Sequence, residues 1–184
     1  MKNDLNAFVT ADPNKCIGCR VCEIACAVAH LDKTVKTVGS LNAPLLPRLY
    51  LVKTSETTMP VQCRHCEDAP CVKSCPVSAI DRRDNKIMMA EQRCIGCKSC
   101  LLACPFGAIE LIAVCPDDSS RDYNVVASKC DLCSGKPKGP ACVAACPSQA
   151  LRYVNIAEER KRRQLYAATK AGNFIKEFRA GGGT

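Results

Sequence analysis

Apolar residues in this chain come in short bursts divided by turn-forming polar text, and no burst approaches the length of a membrane span. Segment 79–89, AIDRRDNKIMM, is apolar at both ends and polar in the middle, which predicts a β-hairpin turning at Asp84-Asn85. The stretch AIELIAV, residues 108–114, predicts a strand, with Cys115 as a packed thiol at its end before Pro116. EIACAVAHL, residues 23–31, predicts a helix that continues past Cys26, because Ala27 follows it and no proline ring blocks the path. Asn155, with Glu158 three residues later, suits a helix start. Residues 156–170 then carry good helix formers until Gly172 and Asn173 allow a stop.

The bursts also repeat. CPVSAI (75–80), CPFGAI (104–109) and CPSQAL (146–151) each follow a cysteine group, and Lys15, Arg93 and Lys129 each precede one. Every unit therefore predicts a cysteine loop, a short helical turn and a short strand. All but one of the 17 cysteines fall into these groups. Cys16, Cys19, Cys22 and Cys26 are spaced C-x2-C-x2-C-x3-C, as are Cys94, Cys97, Cys100 and Cys104. Cys63, Cys66, Cys71 and Cys75 are spaced C-x2-C-x4-C-x3-C, and Cys130, Cys133, Cys142 and Cys146 C-x2-C-x8-C-x3-C.

These are iron–sulfur spacings. A cubane core offers one site at each of four irons, and thiolate is the soft ligand that suits it. Three closely spaced cysteines wrap three corners with local chain. The cysteine three residues further on lies a helical turn away and serves the other cluster of a pair, as in bacterial ferredoxins. Four such runs predict four [4Fe–4S] clusters bound by those cysteines. Structural zinc prefers well-separated C-x2-4-C pairs, which the triple spacing does not match. A disulfide-rich secreted domain is normally shorter, and Met1 to Asn14 lack the basic start and apolar run of a signal peptide. A cytoplasmic metalloprotein is the expectation.

Composition fits. The chain has 47% hydrophobic residues, no Trp and only 4% aromatics, so clusters would fill interior space that aromatic rings usually take. Its formal net charge is +8. Four oxidised clusters with their thiolates would bring about −8 and cancel it, so the basic residues read as compensation for cluster charge rather than a nucleic-acid footprint.

The second and third runs, with the hairpin between them, have the parts of a two-cluster ferredoxin. The first and fourth runs are left to form another. The fold class expected is α+β, two bacterial-ferredoxin-like modules, one inserted in the other, plus a C-terminal helical tail. The outer module takes residues 1–55 and 116–155, the inner 56–115 and the tail 156–184, with 27–62 and 105–129 containing the connectors. Crossed pairing then gives Cys16, Cys19, Cys22 with Cys146; Cys130, Cys133, Cys142 with Cys26; Cys63, Cys66, Cys71 with Cys104; and Cys94, Cys97, Cys100 with Cys75. Pairing the first run with the second is the alternative.

The stretches ADPNKCIGCRVCEIAC, CRHCEDAPC, RCIGCKSC, ACPFGAIE and KCDLC resemble the four-cluster ferredoxin subunits of formate hydrogenlyase, hydrogen-dependent carbon dioxide reductase and related molybdopterin oxidoreductases. The resemblance spans roughly residues 7 to 155. It implies crossed ligation, a chain of clusters between a formate dehydrogenase and a hydrogenase, and no catalysis by this subunit. The chain departs from the ferredoxin pattern at Ala27, where the other runs have proline, and in the Gly-, Pro- and Lys-rich insert SGKPKGPA (134–141). That insert predicts a surface loop, either a docking element or simply solvated.

His65 could tune a cluster by donating a hydrogen bond, and Lys15, Arg64, Arg93 and Lys129 could stabilise reduced clusters; His30 reads as structural. No radical S-adenosylmethionine C-x3-C-x2-C loop and no G-x-G-x-x-G fingerprint occurs. With every cluster iron capped by cysteine, the expectation is an electron carrier rather than an enzyme. The rival is an assembly subunit whose metal sites hold a scaffold or filament. Leu165, Tyr166, Phe174, Ile175 and Phe178 give the tail apolar anchors beside basic Lys161, Arg162 and Arg163. They predict docking on another subunit, a second copy included, with packing on the same chain as the alternative.

Overall fold

The computed structural model describes residues 6–31, 37–41, 44–114 and 123–181. Cys115 lies outside the described residues, so the strand-end role expected of it does too. Among those described, eight short strands pair two by two, all antiparallel. Strand β1 (Ala7–Ala11) pairs with β8 (Leu151–Asn155), bringing Val9 opposite Tyr153. The hairpin expected at 79–89 is β4 (Ile80–Arg83) and β5 (Lys86–Met89). Asp84 and Asn85 turn it at φ 47° and 60°, the left-handed conformation that a two-residue I′ turn requires at both positions.

Segments expected to connect modules carry structure of their own. Strands β2 (Leu49–Lys53) and β3 (Thr58–Gln62) form a hairpin across the join between residues 55 and 56. Strand β6 (Glu110–Val114), on the apolar stretch 108–114, pairs with β7 (Asn124–Ser128).

Among the described residues, four helices carry cysteines or adjoin them: α1 (Val21–Ala29), α2 (Pro70–Lys73), α3 (Ser99–Ala103) and α4 (Ala141–Ala144). Helix α1 packs on α4, and α2 on α3. The last three stop at the Cys-Pro step, because proline disfavours helical backbone in the residue before it. Cys104 is accordingly extended, at φ −76° and ψ 113°. Helix α1 has no such stop and runs three residues beyond Cys26.

Two cores result. One joins Val9, Leu49, Leu132 and Leu151 to Cys22, Cys26, Cys63, Cys130 and Cys142. The other joins Ile80, Ile87 and Ile109 to Cys71 and Cys100. Full burial of Val9, Leu49, Ile80 and Ile87 stabilises each by roughly 1.5–3 kcal/mol. Aliphatic side chains this few are interleaved with thiols throughout.

The tail is helix α5 (Ile156–Gly181). As expected, the Asn155 side-chain oxygen accepts the N–H groups of Ala157 and Glu158, at 3.0 and 3.4 Å. The stop expected at Gly172 and Asn173 does not occur. An interior glycine costs about 1 kcal/mol against alanine, which good helix formers on both sides offset, and Gly172 does not take the left-handed conformation of a helix terminus. Among the described residues, no helix is long and apolar enough to cross a membrane.

Candidate metal centres

Each cysteine loop is shaped by one left-handed residue between its first two cysteines: Gly18, His65, Gly96 and Leu132, at φ 72°, 49°, 67° and 59°. This curls the chain back so that backbone N–H groups face the preceding sulfur. His65 N–H points at Cys63 Sγ (3.4 Å), Gly96 N–H at Cys94 Sγ (3.5 Å) and Leu132 N–H at Cys130 Sγ (3.4 Å). The Cys-Pro segments repeat the device with left-handed Ser78, Gly107 and Gln149. There Ala79 N–H meets Cys75 Sγ at 3.2 Å and Ala108 N–H meets Cys104 Sγ at 3.5 Å. Cys26, which lacks the proline, instead receives the Arg48 N–H at 3.3 Å. Such donors favour thiolate over thiol and suit sulfur bound to a cation.

Cysteines distant in sequence meet. Cys16, Cys19, Cys22 and Cys146 line one small cavity, and Cys75, Cys94, Cys97 and Cys100 line another. Each has the same make-up, three cysteines of one run and a fourth from another. Elsewhere Cys66 and Cys71 lie within electrostatic reach of Cys63 and Cys104, and Cys142 within reach of Cys26, Cys133 and Cys22. Burial pushes the thiols of Cys22 and Cys71 up to about 11 and that of Cys142 up to about 12, and it raises Cys130 strongly as well. Thiols like these ionise at neutral pH only when a cation takes the charge, as a cluster iron does. Converging soft donors, N–H groups aimed at sulfur and buried thiols together fit an iron–sulfur core.

The four basic candidates separate. Lys15 and Arg93 are exposed, and Arg93 caps the Val77 carbonyl at 2.9 Å. Arg64 lies over the rings of Phe8 and Phe106, at 5.7 and 6.0 Å. Lys129 is buried, only 3% exposed, and its ammonium bonds the carbonyls of Cys130 and Ile87. His65 is fully buried beside it. Burial, then the Lys129 charge, holds its pKa down to about 3, so the ring is neutral.

Sequence reasoning missed one charged group. His30 bonds the Cys26 carbonyl through Nδ1 at 2.7 Å and Asp131 through Nε2 at 2.9 Å, so both ring nitrogens donate. Burial opposes that charge, but Asp131 and Cys26 outweigh it and raise the pKa to about 10. Arg48 bonds the other Asp131 oxygen at 2.9 Å, and Asp131 also accepts the Cys133 N–H at 2.9 Å. No periodicity announces an ion pair that joins residues this far apart in sequence. Of the insert 134–141, residues 134–138 are exposed as expected, while 139–141 are half-buried and Ala141 opens α4; beside it lies an apolar groove lined by Ala25, Val28 and Ala144.

A family model described as a 4Fe-4S dicluster domain matches residues 55–156. A second, a 4Fe-4S binding domain, matches residues 8–31. The electron transport protein HydN of Escherichia coli (strain K12) is 43% identical, over 88% of this chain and 99% of that one. Hydrogenase-4 component A of the same organism is 40% identical, over 92% and 94%. An iron-sulfur protein of Rhodospirillum rubrum is 42% identical, over 82% and 83%. With the first model covering more than half of the chain and these relatives matched over most of their length, the chain belongs to the 4Fe-4S dicluster domain family, among the ferredoxin-type iron–sulfur proteins of electron transport.

Proposed function

We propose that the chain is a non-catalytic, cytoplasmic electron-transfer subunit with four [4Fe–4S] clusters, which relays electrons between a formate dehydrogenase-like and a hydrogenase-like partner. The ligand sets are Cys16, Cys19, Cys22 and Cys146; Cys130, Cys133, Cys142 and Cys26; Cys63, Cys66, Cys71 and Cys104; and Cys94, Cys97, Cys100 and Cys75. They belong to two ferredoxin-like modules, one within the other. The observation that carries the reading is the pair of matching cavities, each lined by a cysteine triplet and a fourth cysteine from a different run. The packing of α1 on α4 and of α2 on α3 supports the same crossed sets. Each cluster, when bound, would take up or release one electron.

The polypeptide's part is to hold each core by four thiolates, leave no iron open to substrate, and shield most of the sulfur from water. Two edges are less shielded. Cys19 and Cys97 are exposed, beside the exposed Ile17 and Ile95. These apolar rims, at different ligand sets, suit approach by two partners. The names of HydN and hydrogenase-4 component A point to electron transport and to a hydrogenase; the formate-linked partner rests on the resemblance in the ligand stretches.

Protein purified anaerobically should be brown, bleach with dithionite, and contain about 16 iron and about 16 acid-labile sulfide per chain. A colourless protein with zinc would favour the scaffold reading, and a reproducible count near half would remove one module. Cys146→Ser should disturb the cluster of Cys16, Cys19 and Cys22 and spare that of Cys130, Cys133 and Cys142. Anaerobic co-purification should bring down dehydrogenase-like and hydrogenase-like subunits together; recovery of neither would reject the relay.

A further inference from the structure

We propose that His65 donates its Nε2–H to a sulfur of the cluster held by Cys63, Cys66, Cys71 and Cys104, and so raises the reduction potential of that cluster above what its four thiolates alone would give. This rests on the ligand sets proposed above.

The tautomer follows from geometry. Nδ1 of His65 accepts the backbone N–H of Ile87 at 3.0 Å. A nitrogen that accepts carries no proton, so the ring is neutral and its proton is on Nε2. That Nε2–H is buried and has no acceptor among the described residues, on a residue with 0% exposure. Buried donors are almost always paired, because an unpaired one loses its water and gains nothing.

The surroundings name the acceptor. His65 lies between Cys63 and Cys66 in sequence, and Ile87, which orients its ring, packs in a core shared by Cys71 and Cys100, with Cys66, Cys94 and Cys104 against it, so the sequence position is what singles out the set of Cys63 and Cys66. Lys129, on the Ile87 carbonyl, bears electrostatically on both His65 and Cys71. The electron-rich sulfur of that ligand set is the acceptor chemistry beside the orphan donor. The backbone agrees. His65 takes a left-handed φ of 49° where two other loops have glycine, a conformation that histidine adopts more readily than most side chains. Asn6 donates to the His65 carbonyl and accepts from Arg82 at 2.7 Å, which pins the loop in place. An N–H bonded to cluster sulfur stabilises the more negative, reduced state.

The chain has two histidines, so histidine labelled with ¹⁵N in the ring gives a direct readout. Fully loaded wild-type protein, poised to reduce its clusters stepwise, should show ring-¹⁵N coupling in pulsed electron paramagnetic resonance. On the signal of the cluster held by Cys63, Cys66, Cys71 and Cys104 the coupling should vanish in His65→Leu and persist in His30→Gln, since His30, with Nδ1 3.9 Å from Cys26 Sγ, adjoins a different ligand set. It should belong to the signal that Cys104→Ser disturbs. Potentiometric titration of His65→Leu should lower one midpoint and leave the others, and His65→Gln, whose amide can donate from a similar place, should recover part of the shift. Absence of coupling in wild-type protein at full iron loading overturns the proposal without any variant having to fold. So does coupling found only on signals indifferent to Cys104→Ser. A low iron count instead bears on the ligand sets themselves.

Discussion

Gly96 and Gly18 occupy equivalent positions, yet their surroundings differ. A Cβ at Gly96 would stand 2.5 Å from the Val125 carbonyl oxygen, whereas one at Gly18 would meet the Thr58 methyl at 3.3 Å. Either alanine would sit at positive φ, a strain of about 1–2 kcal/mol. At Gly96 the clash is with backbone, so β7 must move as well. Gly96→Ala should therefore bleach at clearly lower denaturant than Gly18→Ala, followed by visible absorbance; equal midpoints would show that the close approach to Val125 is relaxed at little cost. Asp131 offers a second test, since it is the shared counter-charge of His30 and Arg48. Asp131→Ala leaves Arg48 without its carboxylate and His30 without the group that holds its proton, both half-sheltered from water. A loss on the order of 2–3 kcal/mol is expected, below the full cost of breaking a buried pair because these side chains keep some exposure. Asp131→Ala stability within error of wild type would remove the pair from any structural role.

Helix α5 shows how far local signals reach at the scale of elements. Its start was legible because Asn155 can satisfy orphan N–H groups by itself. Its end was not, because glycine stops a helix only where the chain also turns, and here it does not. Leu165, Tyr166, Phe174 and Phe178 are exposed along it, and α5 contacts the body at β8. Truncation after Asn155 should therefore leave iron content unchanged while weakening partner recovery or shortening oligomers in sizing experiments. Unchanged assembly would reject docking by the tail. The β4–β5 hairpin was legible for a similar reason: its turn residues and both strands lie within eleven consecutive positions. Strand β1 was not, since its register is set by β8 at the other end of the ligand-bearing chain. Strand β6 was legible in the apolar stretch 108–114, whereas β2, β3 and β7 fell in segments read as connectors, because these short strands carry no clean alternation of apolar and polar residues.

For the whole molecule, charge is the simplest test. The bare chain carries +8, and four loaded clusters would bring the total near zero, at about −2 each. Loaded protein should leave a cation exchanger well before the apoprotein at neutral pH; retention midway between would indicate two clusters. Ligand type, spacing and the loop geometry of each run are properties of the sequence itself, because a thiolate triplet two residues apart can wrap a core with local chain alone. Even the helix through Cys26 follows from the presence of Ala27 where proline stands elsewhere. Which distant cysteine meets each triplet is different. Cys146 reaches the cavity of Cys16 because β1 pairs with β8, a choice made by non-local packing. The same holds for His65 and Lys129. Nothing in their neighbouring residues distinguishes them from the exposed Lys15 and Arg93, and only the closing of the tertiary structure over residues 65, 87 and 129 leaves one with a buried proton to donate and the other with a buried charge.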